Sequence, residues 1–162
     1  MSSSKLRPRS ISTYDSLGTP RTLSVGRLDT RARYLYTNGH CHLLAIALAK
    51  RLDVAVSVAC LGRLREVPTP GSVEQARDIR NSWIHAFARI GPDRYLDVMG
   101  IHSEAVVQAN WGPSDRSGLC MVEVGAAYLN EAVYWGEYPD EDDLTLSEAL
   151  VDPVLRRYGL GS

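Results

Sequence analysis

At 162 residues, with 44% hydrophobic and 23% charged side chains and a formal net charge of −1, the chain has the composition of one soluble globular domain. No apolar run approaches the roughly 18 residues that span a bilayer, and the N-terminus lacks the apolar middle of a secretory signal, so neither membrane insertion nor classical export is expected. Three cysteines without paired spacing make no disulfide framework and point to a reducing, cytoplasmic setting.

Residues 1–33 hold seven Lys or Arg against two Asp, whereas residues 123–148 hold eight acids and no base. Residues 1–30 are rich in Ser, Thr, Arg and Pro and carry few large apolar side chains. They read as a flexible basic arm, unable to bury enough surface to offset the entropy of ordering. The arm lacks the interleaved aromatics of a nucleic-acid module, so no nucleic-acid partner is expected. Residues 31–162 read as a single α+β domain.

Past Tyr34-Leu35-Tyr36 and a Thr-Asn-Gly turn, His42 to Leu52 is apolar nearly all round, which predicts a helix packed centrally against a sheet. Val54, Val56, Val58 and Cys60 alternate with small residues and predict a strand. Residues 62–71 read as a loop, and Ser72 with Gln75 as a capping box opening a short helix. Ser82 to Ile90 and Tyr95 to Met99 predict a hairpin around Gly91-Pro92-Asp93-Arg94. Ser103 is a candidate cap of a short helix that ends at Trp111-Gly112-Pro113. Leu119 to Val124 predicts a strand, and Ala126 to Tyr134 fits helix or strand. The acidic Glu137 to Asp143 reads as a loop, before a terminal helix from Thr145 that Pro153 should bend.

Cys41 falls at the start of the first long helix, where unpaired amides and the positive end of the helix dipole favour thiolate over thiol. Cysteine nucleophiles attack as thiolates, and a nearby histidine both pairs with the thiolate and protonates the departing amine. His85 is the strongest candidate. Trp83, His85 and Phe87 share one face of a regular strand, so the aromatics would exclude water or line a substrate pocket, with core packing as the bland alternative. Asp97 interrupts an apolar strand, which is costly unless the carboxylate is exposed or paired. Pairing with His85 requires both on one face: an odd loop around Gly91 to Asp93, or a bulge, gives this, and a regular two-residue turn does not.

His40 and His42 flank Cys41 and are candidates for tuning its pKa. His102 reads as a surface or capping residue, and Cys60 and Cys120 as small buried hydrophobes.

The stretches Gly-His-Cys-His-Leu-Leu-Ala, Ile-His-Ala-Phe and Tyr-Leu-Asp-Val-Met-Gly, in that order over residues 35–100, resemble the papain-like and transglutaminase-like superfamily of cysteine enzymes. The resemblance implies a helix that begins with the nucleophile, packed on an antiparallel sheet. It implies Cys41 as nucleophile, His85 as general base and acid, and Asp97 as the residue orienting His85. The papain pattern has a Gln about six residues before the nucleophile as oxyanion donor. Leu35 stands there, so the amide of Cys41 and the side chain of Asn38 would serve, with His42 in support.

The expected activity is thiol-dependent acyl transfer at an amide of a protein or peptide, with hydrolysis as the default and deamidation or transglutamination by the same triad. It needs no cofactor. Two alternatives stay open: a non-catalytic protein-interaction module on the same fold, and a zinc-binding protein using these His, Cys and Asp side chains. Oligomeric state is not legible in the sequence.

Overall fold

The computed structural model describes residues 9–61, 82–114, 118–124 and 139–161. The architecture is α+β. A five-stranded antiparallel sheet is built from β3 (Ala55–Leu61), β4 (Trp83–Gly91), β5 (Arg94–Asp97), β6 (Gly100–His102) and β7 (Leu119–Val124), in the order β6-β5-β4-β3-β7. A separate hairpin pairs β1 (Ser10–Tyr14) with β2 (Pro20–Ser24). The described helices are α1 (Thr30–Thr37), α2 (Cys41–Leu52), α3 (Glu104–Trp111) and α4 (Glu141–Arg157).

Strand alternation divides the sheet into two faces. Val56, Val58, Cys60, Ala86, Ala88 and Leu96 pack with Leu44, Leu48 and Ala49 of α2 and Leu150 and Val154 of α4. Ala59, Phe87, Tyr95 and Leu119 pack with Val107 and Trp111 of α3. The apolar surround of α2 follows from this position, since it is wedged between the sheet and α4 and buries Leu43, Leu44, Ala45, Leu48 and Ala49. Lys50 and Arg51 complement the negative end of its dipole, and Asp53 ends it in the left-handed conformation, φ 54°.

Within the basic arm, residues 10–24 form a hairpin. β1 and β2 send Ile11 and Leu23 into the main core, and Thr13 Oγ1 donates to Asp143 Oδ1 at 2.6 Å. Two buried apolar residues per hairpin are too few to read from composition, but they suffice when the rest of the domain supplies the other half of the core.

The C-terminal helix starts earlier than expected. Asp140 caps it by accepting from the Asp143 amide, and Glu141, Asp142 and Asp143 form its first turn, where acids complement the dipole. Pro153 lies inside it, and the buried Leu150, Val151, Val154 and Leu155 hold the helix in place across the proline. Tyr95 to Met99 is divided: β5 ends at Asp97, and Gly100, with φ +140°, opens β6. The short helix expected from Ser72 and the segment 126–134 lie outside the described residues. No helix among the described residues is long and apolar enough to cross a membrane.

β4 carries two bulges. Ala59 lies opposite His85 and Cys60 opposite Trp83, leaving Ile84 unopposed. On the other edge Arg89 lies opposite Tyr95 and Gly91 opposite Arg94, leaving Ile90 unopposed. The turn itself is the two residues Pro92 and Asp93, not an odd loop. The bulge at Ile90 changes the parity, so Asp97 stands on the face that holds His85.

Candidate active site

Cys41 is the first residue of α2, and its N-cap residue His40 places no side-chain hydrogen bond on the first-turn amides. The thiol is buried, at 5% exposure. Burial pushes its pKa up, but the charge of His85 and hydrogen bonding from His42 and His85 outweigh it and bring the thiol down to about 6. A thiolate is therefore the resting form near neutrality.

The start of α2 meets the start of β4. His42 rests edge-on against Trp83 with ring centroids 5.6 Å apart, and Cys41 interacts with His85. The bulge at Ile84 separates Trp83 from His85. Trp83 packs with the α2-side core and stays half-buried beside His42, whereas His85 and Phe87 face α3. The expectation that Trp83, His85 and Phe87 share one face fails at that bulge. Phe87 is fully buried and its ring meets the edge of His85 at 4.7 Å, so it backs the histidine instead of lining a pocket.

His85 has no solvent exposure. Its Nε2 donates to Asp97 Oδ2 at 2.8 Å. Its Nδ1 is buried with no hydrogen-bond partner, and the Cys41 thiolate acts on the ring through its charge. Burial disfavours the imidazolium, but the Cys41 charge and the Asp97 hydrogen bond prevail and raise the pKa to about 9. The two opposed shifts, each caused largely by the other residue, favour a thiolate–imidazolium pair.

Asp97 is 4% exposed and fully engaged. Oδ1 accepts from the amides of Met99 at 2.7 Å and Gly100 at 3.1 Å and from His102 Nε2 at 2.8 Å, while Oδ2 accepts from His85. Burial raises its pKa, and the bonds from His102 and His85 overcome this and hold it at about 2. The turn between β5 and β6 explains the amide pair: Asp97 faces Gly100 across two residues, and the left-handed Gly100 folds both amides back onto the carboxylate.

On the other side of Cys41, the N-terminal hairpin closes against the residues that precede it. The Ser16 amide donates to the Asn38 carbonyl at 2.9 Å. Gly39, at φ +134°, lets the turn approach so closely that a Cβ there would lie 2.8 Å from the Ser16 nitrogen. His40 Nε2 donates to the Tyr14 carbonyl at 3.0 Å, and its Nδ1 lies 3.9 Å from Asp143 Oδ1. Burial lowers the His40 pKa, with Asp143 opposing. Tyr36 OH, 3.0 Å from Ser147 Oγ, ties α1 to α4 in the same region.

Cys41, His42, His85 and Asp97 are brought together, and Asn38 is not among them. Its Nδ2 donates to the Tyr34 carbonyl at 2.9 Å, where it caps α1 and is turned away from an oxyanion role. The amides of Cys41 and His42, at the first two positions of α2, have no intrahelical acceptor by helix geometry.

Two participants escaped the sequence reading. His102, expected at the surface, is 11% exposed at its side chain and bonded to Asp97. Trp111, expected only to end a helix, stacks on His85 with centroids 4.7 Å apart and meets His102 edge-on at 5.4 Å. Among the described residues no group of three or more His, Cys, Asp or Glu is disposed to hold a metal ion, and both Asp97 oxygens are already committed. No family model, curated protein or solved structure matches this chain.

Proposed function

We propose that the chain is a cysteine-dependent acyl-transfer enzyme acting on an amide of a protein or peptide, built on a papain-like or transglutaminase-like core. The observation that carries this reading is the buried His85–Asp97 bond, with Cys41 at the start of α2 close enough to His85 that its thiol's pKa is lowered and the imidazole's raised. Such opposed shifts in one buried pair mark a nucleophile with its acid.

In this reading the Cys41 thiolate attacks the carbonyl carbon, and a C–S bond forms as the carbonyl π pair moves onto oxygen. The oxyanion sits at the positive start of α2, facing the first amides. Collapse re-forms the carbonyl and breaks the C–N bond, and the amine leaves with the proton from His85 Nδ1. The acyl group is now on sulfur. Water, deprotonated by the neutral His85, attacks the thioester and expels the thiolate, regenerating the imidazolium; an amine in place of water gives transamidation. Asp97 holds the ring by Nε2 throughout, so that Nδ1 remains the working nitrogen.

The test pairs reactivity with turnover. Cys41 should react with iodoacetamide near neutral pH faster than an unstructured thiol, and His85→Ala should abolish the difference. Candidate proteins incubated with the enzyme should then show cleavage, amide-to-acid conversion or cross-linking by mass spectrometry, absent with Cys41→Ala. A Cys41 no more reactive than a peptide thiol would sink the proposal.

A further inference from the structure

Asp97 lies between two imidazoles, only one of which belongs to the triad. Both rings approach through Nε2 at 2.8 Å, His85 on Oδ2 and His102 on Oδ1. His102 closes β6 opposite Tyr95, and its ring is held by Trp111 at 5.4 Å and Phe87 at 6.0 Å, the residues that also contact the His85 ring.

We propose that His102 is a positioning residue of the acyl-transfer site, which makes the triad a four-membered chain, Cys41–His85–Asp97–His102; the inference rests on the function proposed above. The torsion that turns a carboxylate about its own axis is soft, so one hydrogen bond from His85 does not fix where Oδ2 points. Pinning Oδ1 does. The two main-chain amides reach Oδ1 from the β5–β6 turn, and His102 reaches it from β6, so the carboxylate cannot rotate without breaking a buried bond. His102 donates to the ionised carboxylate and therefore carries its proton on Nε2, as His85 does. Asp97 then remains an acceptor to both rings, and its orientation keeps the second nitrogen of His85 towards the sulfur. The arrangement parallels the outer partners that orient metal-bound histidines, whose loss weakens function about 10–100-fold.

The alternative is that His102 only competes for the carboxylate's charge, and the two ideas give opposite signs. If His102 positions Asp97, removing it loosens the hold on the His85 imidazolium and makes the thiolate harder to form. If it merely competes, removing it strengthens that hold.

The experiment is the pH dependence of Cys41 alkylation by iodoacetamide in the full chain, for wild type, His102→Ala, His102→Phe and His102→Gln, with thermal melting of each. The positioning role predicts that His102→Ala and His102→Phe shift the acid limb to higher pH and slow alkylation at about pH 7 by about tenfold. His102→Phe keeps the aromatic packing without a donor and serves if the alanine variant does not fold. His102→Gln, which keeps an N–H donor, should recover the rate to within about threefold. An unmoved or lowered acid limb in folded His102→Phe overturns the inference while leaving the proposed function intact. A purely structural role would lower the melting temperature without moving the limb, and that too overturns it. A wild-type Cys41 with no enhanced reactivity overturns both.

Discussion

His85 and Trp111 stack nearly parallel, their ring centroids 4.7 Å apart and their planes 17° from each other. An aromatic face against an imidazolium favours the charged ring, and a desolvated cation–π contact is worth about 2 kcal/mol or more. Trp111→Leu should therefore lower the His85 pKa and shift the acid limb of Cys41 alkylation upward, slowing the reaction near neutrality by about three- to tenfold. Trp111→Phe should lie between. A wild-type profile in a folded Trp111→Leu protein would remove the indole from the site.

The thiolate–imidazolium pair defines a pH window. Cys41 has its pKa lowered, so the thiolate appears as pH rises through about 6; His85 has its pKa raised, so the imidazolium survives until about 9. Alkylation needs only the thiolate and should persist above the upper limit. Amide turnover needs the acid too, and its rate should be bell-shaped with limbs near these values. Parallel alkaline behaviour of the two reactions would contradict His85 as the acid.

Asp97 links the site to stability. Its pKa is depressed from 3.8 to about 2 in the folded chain, so its contribution is complete above its ordinary value and is lost as pH falls through about 2. The depression corresponds to about 2 kcal/mol at neutral pH. Asp97→Ala should cost more, about 3 kcal/mol or above, because it strands two imidazole N–H groups and two amides without their acceptor. Chemical denaturation at about pH 7, compared with about pH 2.5, should show the wild-type advantage shrinking with acid.

Asn38 gives a contrasting case. With its side-chain amide on the Tyr34 carbonyl, Asn38→Ala should cost about 1 kcal/mol of stability and leave the rate of acyl transfer within about twofold. An oxyanion donor would instead lower the rate about 100- to 1,000-fold. Single-turnover kinetics at saturating substrate separate the two.

Gly39 tests the N-terminal hairpin. A side chain at φ +134° meets both backbone strain and the Ser16 nitrogen 2.8 Å from its Cβ. Gly39→Val should destabilise by about 2–3 kcal/mol and release the turn at residues 15–18 from the start of α2. Hydrogen exchange at the Ser16 amide should rise by the corresponding factor.

The proposed triad was legible because each member disturbs a local pattern. Cys41 opens an apolar helix, His85 sits among strand aromatics, and Asp97 puts a charge into an apolar run. His102 and Trp111 disturb nothing: one ends a three-residue strand and the other a two-turn helix, elements too short to show a period. Ile84 and Ile90 look like ordinary strand residues, so neither bulge leaves a trace in composition. The hairpin was missed for another reason. Its anchors are remote, Thr13 meeting Asp143 across 130 residues, and a Ser/Thr-rich segment with two buried apolar side chains has no local signature of order. The acidic stretch was misread as a loop because acids in a first helical turn and acids in a solvated turn have the same composition.

The unopposed isoleucines give β4 three phases. Before Ile84, Trp83 packs on the α2 side; between Ile84 and Ile90 the odd-numbered side chains face α3, and past Ile90 the pairing with β5 shifts again. The alignment of His85 with Asp97 is thus stored as a residue count and not as chemistry. Were Ile90 paired in register with the same two-residue turn, His85 and Asp97 would stand on opposite faces of the sheet, so the bulge is what sets them side by side.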